Sequence, residues 1–147
     1  VRLYEHEAKR IFQSKGIPIP KQYGVIRNPH ELAEVNVEYP VMLKAVVLIG
    51  GRGKAGGIKK ASTPEEARAK AEELFNLKIK GYPVESVLLE EAVEEIGACY
   101  VGITMDPARY NNVVILSASG GVEIETVAQK RPEAIHRFEV VGNELEL

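Results

Sequence analysis

The sequence predicts a mixed α/β chain in which helices and strands alternate up to about residue 90 and strands dominate beyond it. Two segments place helix-start chemistry ahead of apolar residues at helical spacing. Short runs rich in Val, Ile, Leu and Tyr, bounded by Gly, Pro and Asn, have strand character. Between them lies a stretch, 44–60, with too much glycine for either. An α/β layer feeding a second, β-rich layer is the architecture this order implies.

Taken in order, residues 3–15 predict an amphipathic helix. Tyr4, Ala8, Ile11 and Phe12 share a face, and Gly16 stands where a left-handed residue ends it. Ile17-Pro18-Ile19-Pro20 must be extended, because proline excludes helix at its own position and disfavours it one residue before. Gln22 to Ile26 is a strand. Asn28-Pro29-His30-Glu31 combines an N-cap, a proline at the first helical position and an acid at the third, opening a helix to about Val35. Val41 to Ile49 is a buried-type strand interrupted by Lys44. Thr63-Pro64-Glu65-Glu66 repeats the cap chemistry, and Ala67, Ala71, Leu74 and Phe75 line one face of the helix it starts. Val87 leads a short strand. Tyr100–Met105 and Val113–Ser117 are strands joined by a turn through Asp106-Pro107, and Ile135–Val141 is a last strand. Glu123 and Glu125 would share one face if Ile124 lies in a strand.

Bulk properties exclude several classes. A net charge of −2 gives no global attraction to nucleic acid or anionic membrane, so any anion binding must be local. No apolar run approaches a membrane span. Cys99 is the single cysteine, which rules out an intrachain disulfide and suits a reducing compartment.

Residues 44–60, KAVVLIGGRGKAGGIKK, combine five glycines with five basic residues. Glycine lets backbone N–H groups approach a ligand closely, and cations attract an anion. A phosphate-binding loop is the expectation. Gly51-Arg52-Gly53-Lys54-Ala55-Gly56 matches the dinucleotide pattern G-x-G-x-x-G, but that loop opens a helix, whereas Gly57-Ile58-Lys59-Lys60 starts like a strand. It is no P-loop either, since Ala55 follows Lys54 and Leu48 occupies the first glycine position. A glycine-rich turn between antiparallel strands, folded over phosphates, fits the flanks. Lys44 interrupts an apolar strand; a buried ammonium there needs an anion, a phosphate or a neighbouring glutamate, and the remaining option is a lysine pointing out at a strand end.

Four stretches resemble the β subunit of succinyl-CoA synthetase (succinate–CoA ligase), whose N-terminal part is an ATP-grasp domain. They are Leu3-Tyr4-Glu5-His6-Glu7-Ala8-Lys9 with Gly16-Ile17-Pro18; Gly50 to Gly57; Leu88-Leu89-Glu90-Glu91-Ala92; and Gly120-Gly121-Val122-Glu123-Ile124-Glu125 with Val127-Ala128 and Ile135-His136. The resemblance implies an ATP-grasp fold, with a first subdomain over 1–98 and a partial second one over 99–147. It implies that Lys44 reaches the nucleotide phosphates, that Gly51, Arg52 and Gly53 form the phosphate-covering turn, and that Glu90 and Val93 lie at the hinge near the base. The ligands implied are ATP/ADP or GTP/GDP with Mg2+, and the partner implied is an α subunit carrying a phosphohistidine. No nucleic acid or membrane partner is implied, and the expected compartment is the cytoplasm or a mitochondrial matrix. CoA, succinate, the metal ligands and all catalytic residues are expected outside this chain, which would then be inactive alone.

The chain departs from the family in four places. Val46 and Leu48 stand where the family usually has Gln and His. Ala98 replaces the acid two residues before Tyr100, and Ser117-Ala118-Ser119-Gly120-Gly121 lacks the usual Glu before its glycines. A related malate-type ligase and a non-catalytic module with the same fold are the alternatives. His6, His30 and His136 are scattered without metal-ligand spacing, and Cys99 reads as a small apolar filler.

Overall fold

The computed structural model describes residues 2–108, 110–121, 124–141 and 144–145. They divide into two compact units, Val1–Val93 and Glu94–Leu147.

In the first unit, α1 (Glu5–Ser14) starts at Tyr4, whose backbone N–H donates to Glu7 Oε2 at 2.8 Å. Gly16, at φ +77°, terminates it in the left-handed region, where glycine carries no Cβ penalty. The chain then runs extended into β1 (Gln22–Ile26). Asn28 caps the next segment by accepting from the N–H groups of His30 and Glu31 at 3.0 and 3.2 Å. That segment is one 3-10 stretch, Pro29–Glu34, shorter and tighter than the predicted helix, because Val35 is already extended at φ −98°, ψ 124°. The hairpin of β2 (Val41–Ala45) and β3 (Ile58–Ala61) follows, with Lys44 opposite Ile58. The expected strand to Ile49 ends early, since the Val46 N–H turns to the Ser86 carbonyl at 2.9 Å.

Thr63 caps α2 (Pro64–Phe75) through a 3.2 Å bond from the Glu66 N–H, while Glu66 Oε2 accepts from the Ser62 N–H at 2.9 Å. A small hairpin, β4 (Lys78–Ile79) and β5 (Tyr82–Pro83), comes next and was not expected. The last strand, β6 (Val87–Glu91), inserts centrally, giving an antiparallel sheet in the order β1-β6-β2-β3. Alternation along β2 buries Val41, Leu43 and Ala45 on one face, against Ala67, Ala71 and Leu74 of α2 and Leu89 of β6. Met42 and Lys44 point to the other face.

The amphipathic helix α1 forms as expected, but its apolar side is left exposed. No residue of α1 is buried, and Ile11 and Phe12 are 49% and 48% exposed. Its inward side instead carries Glu5 and Lys9, because the sheet face beneath them is charged.

The second unit is an antiparallel sheet in the order β10-β9-β8-β7, built from β7 (Tyr100–Asp106), β8 (Asn111–Ser117), β9 (His136–Val141) and β10 (Glu144–Leu145). The Asp106 turn closes with a 2.8 Å bond from the Tyr110 N–H. Tyr100 lies over Gly102, where an added Cβ would come within 2.8 Å of the phenol oxygen. Residues Ile124–Lys130 form a helix, α3, so Glu125 is helical and not on a strand face; Glu123 lies outside the described residues. Cys99 is exposed and precedes β7, so it is no core filler. Val101, Ile103 and Met105 leave an apolar row exposed along β7. Among the described residues no helix is long and apolar enough to cross a membrane.

Leu43 is completely buried between the sheet and α2. Leu43→Ala is expected to cost about 3 kcal/mol of stability, read as a lower urea midpoint, because the cavity cannot fully collapse.

Candidate functional site

Glu90 is a carboxylate at 1% exposure in a strand whose preceding residues Val87, Leu88 and Leu89 are all apolar and buried. A charge in that position requires partners. Lys44 of the neighbouring strand β2 pairs with Glu90 Oε1, and Lys9 from α1 donates to Glu90 Oε2 at 2.5 Å. Glu5, one turn before Lys9 on α1, extends the cluster: it lies 2.8 Å from Lys9 and 3.3 Å from Lys44, and it pairs with Arg52. Arg52 reaches back from the glycine loop and also donates to the Ala45 carbonyl at 3.1 Å. Three cations thus surround two carboxylates, leaving one positive charge in excess.

The ionisation of the cluster follows from competing causes. Burial alone would push Glu90 up, but hydrogen bonds from Lys44 and Lys9 and their charge outweigh it, holding the carboxyl below the ordinary glutamate range. Burial draws Arg52 down from its usual value, opposed by the Glu90 charge. A guanidinium stays protonated regardless.

The glycine loop joins β2 to β3, and its downstream half is fixed from within. Ala55, Gly56 and Gly57 donate to the carbonyls of Gly51, Gly53 and Arg52 at 3.2, 3.1 and 2.8 Å. Gly51 and Gly56 adopt φ +83° and +75°, which side chains resist. Gly57 has a different reason: a Cβ there would meet Ile79 Cδ1 at 2.7 Å and the Arg52 carbonyl at 3.0 Å. Packing therefore accounts for one of the five glycines. Since Ile58 begins a strand antiparallel to β2, no helix opens at Gly56 and the dinucleotide reading is overturned.

Of the residues the sequence singled out, the structure brings Lys44, Arg52 and Glu90 into one cluster, with Gly51 and Gly53 flanking Arg52 in the loop. Val93, 59% exposed and beyond the end of β6, is not among them. Glu5 and Lys9 were missed. Their acid-then-base spacing of four on one helix was the available signal. A recess of about 1140 Å³, bordered by His6, Arg10, Gln22, Arg27 and Ser86, includes neither Lys44, Arg52 nor Glu90. Among the described residues no group of His, Cys, Asp and Glu gathers as a metal site would need. The excess positive charge beside positive-φ glycines fits a polyphosphate, whereas the acids present form no cage for Mg2+ by themselves.

The ATP-grasp domain model matches residues 2–145. The chain belongs to the ATP-grasp family. This ATP-grasp chain is 46% identical over 140 residues to the succinate–CoA ligase [ADP-forming] subunit beta of Methanocaldococcus jannaschii, covering 95% of the chain and 38% of that protein. It is 44% identical over 140 residues to the succinate–CoA ligase [GDP-forming] subunit beta of Thermus thermophilus, covering 94% and 37%. The chain therefore spans less than two-fifths of the length of these relatives. A solved structure of Ca. Korarchaeum cryptofilum ACD1 in complex with coenzyme A shares the fold, with TM-score 0.66, 24% identity, and coverage of 92% of this chain and 58% of that one.

Because the folded Glu90 carboxyl titrates below its unfolded counterpart, its contribution is complete above the ordinary glutamate range and is lost as pH falls through the depressed folded value. Glu90→Gln is expected to cost about 3 kcal/mol at neutral pH, as for a buried pair that loses one partner. In urea titrations it also removes part of the acid-side decline.

Proposed function

We propose that this chain is the nucleotide-binding portion of the β subunit of a succinate–CoA ligase. In that role it holds the polyphosphate of ATP/ADP or GTP/GDP while phosphoryl passes between the nucleotide and a phosphohistidine on a partner α subunit. The convergence of Lys44 from β2 and Arg52 from the glycine loop on the Glu5 carboxylate, with Lys44 also paired to Glu90, carries this reading. Those cations come from the elements that would cover a bound phosphate, and together with Lys9 they leave one positive charge to spare over Glu5 and Glu90.

The chemistry the chain supplies is positioning and charge neutralisation, the dominant requirements of phosphoryl transfer. Glu5 presents a carboxylate to Arg52 and Lys44, as a phosphate oxygen would. Binding exchanges one anion for another, so Lys44 and Arg52 swing from Glu5 to phosphate while Glu90 keeps Lys44 and Lys9 near. Bound Mg2+ would neutralise the phosphates further; its protein ligands belong to a part of the ligase beyond this chain. The same holds for succinate, CoA and the α subunit, so the isolated chain is inactive. The cytoplasm or a mitochondrial matrix suits such an enzyme. Relatives named for ADP and for GDP are nearly equally similar, so the base preference follows from neither.

Calorimetric titration with Mg-ATP, Mg-ADP and NAD tests the reading. The adenine nucleotides are expected to bind and NAD not to. Lys44→Ala should weaken ATP by at least roughly tenfold, the worth of one charge-assisted hydrogen bond. Adenine nucleotide binding indifferent to Lys44→Ala would move the phosphates elsewhere. A folded chain that ignores all three ligands and Mg-GTP as well would favour a non-catalytic module that keeps the fold.

A further inference from the structure

Resting on the reading of the glycine loop as a polyphosphate site, we propose that Lys80 is a further phosphate-binding residue, delivered to the loop by the β4–β5 hairpin. Lys80 and Gly81 are the two residues that turn this hairpin, at φ +50° and +87°. A two-residue turn with both φ positive is the type I′ hairpin turn, where Asn, Asp or Gly is normally preferred at the first position. Lysine in the left-handed region is strained by its Cβ. Turn chemistry therefore does not explain Lys80.

Its surroundings do. A Cβ built on Gly51, the first left-handed glycine of the loop, would lie 3.6 Å from both Cε and Nζ of Lys80. The ammonium thus rests beside the start of the turn that Arg52 occupies. The hairpin is also anchored at the other root of the loop. Ile79 is completely buried, and its Cδ1 fills the space that a Cβ on Gly57 would take. Val84, 3% exposed, donates its N–H to the Leu77 carbonyl at 3.2 Å and closes the hairpin base. Contact at both Gly51 and Gly57 makes the hairpin a brace across the loop, so the direction of Lys80 is inherited from a packed core residue next to it.

Charge accounting separates Lys80 from the other cations. Glu5 and Glu90 are taken by Lys9, Lys44 and Arg52. Among the described residues no carboxylate pairs with Lys80, which is exposed at the loop. An exposed ammonium fixed over a glycine turn, with no internal counter-ion, suits the outer oxygens of a polyphosphate laid along that turn. Lys44 and Arg52 would serve the inner side, and Lys80 the solvent side.

The test compares the unmodified chain with Lys80→Asn, Lys80→Arg and Lys44→Ala. Asparagine removes the charge and suits the positive φ, so the turn is kept. Titrations use Mg-ATP, inorganic tripolyphosphate and adenosine, each at low and high salt. Lys80→Asn is expected to weaken Mg-ATP and tripolyphosphate roughly tenfold, leave adenosine unchanged and flatten the salt dependence. Lys80→Arg should retain most of the affinity. A structural role alone would not change the salt dependence selectively for the phosphate ligands. Unchanged Mg-ATP affinity and salt dependence in Lys80→Asn, with Lys44→Ala still weakened, overturns the role of Lys80 and leaves the nucleotide site standing. Equal weakening of adenosine overturns it as well. Failure of the unmodified chain to bind Mg-ATP or tripolyphosphate overturns both readings together.

Discussion

A carboxylate with almost no access to water, Glu90, is the constraint around which the first unit is arranged. Desolvating a charge costs several kcal/mol even after relaxation, and only well-placed partners offset it. Lys44 supplies one from the adjacent strand and Lys9 another from α1. That requirement reaches outward. Lys9 brings Glu5 with it along the helix, and Glu5 in turn holds Arg52 at the root of the loop. One buried acid thus ties a helix, two strands and a loop into a single electrostatic unit, and it turns the charged side of α1 inward at the expense of Ile11 and Phe12.

The glycines of the loop illustrate how one residue type answers different demands. Gly51 and Gly56 are there for backbone sign, whereas Gly57 is there because Ile79 occupies the place of its side chain. Gly120 in the second unit resembles Gly57: a Cβ would lie 2.4 Å from the Ala98 carbonyl carbon, and its N–H donates to the Ala98 oxygen at 3.0 Å. Close backbone approach, not flexibility, is what that Gly-Gly pair provides at its first position.

What was legible in the sequence was local. Asn28 and Thr63 bond as their cap motifs imply, β1 spans the expected residues, and the glycine stretch is a hairpin loop as its flanks suggested. What escaped depends on distant partners or on very short elements. The inward face of α1 is decided by Glu90, 81 positions from Lys9, so apolar periodicity identified the helix but not the side that packs. Two-residue strands such as β4 and β5 carry too little alternation to register, and Gly81 alone, without Asn or Asp before it, is a weak turn signal. Helix α3 was obscured because its residues sit among strand-like neighbours. For the site, the cations were visible as an excess in the loop, while Glu5 and Lys9 looked like ordinary helix-surface charges.

Gly50 stands apart from its neighbours in the loop. It is exposed, nothing lies within 4 Å of a Cβ placed there, and its φ is outside the left-handed region. That makes it a natural attachment point for a spectroscopic reporter: a thiol introduced at this position, with exposed Cys99 replaced by serine, could carry a dye beside the hairpin without disturbing the contacts that shape it. Opening and closing of the glycine turn would then be observable as a fluorescence change in solution, independently of any turnover.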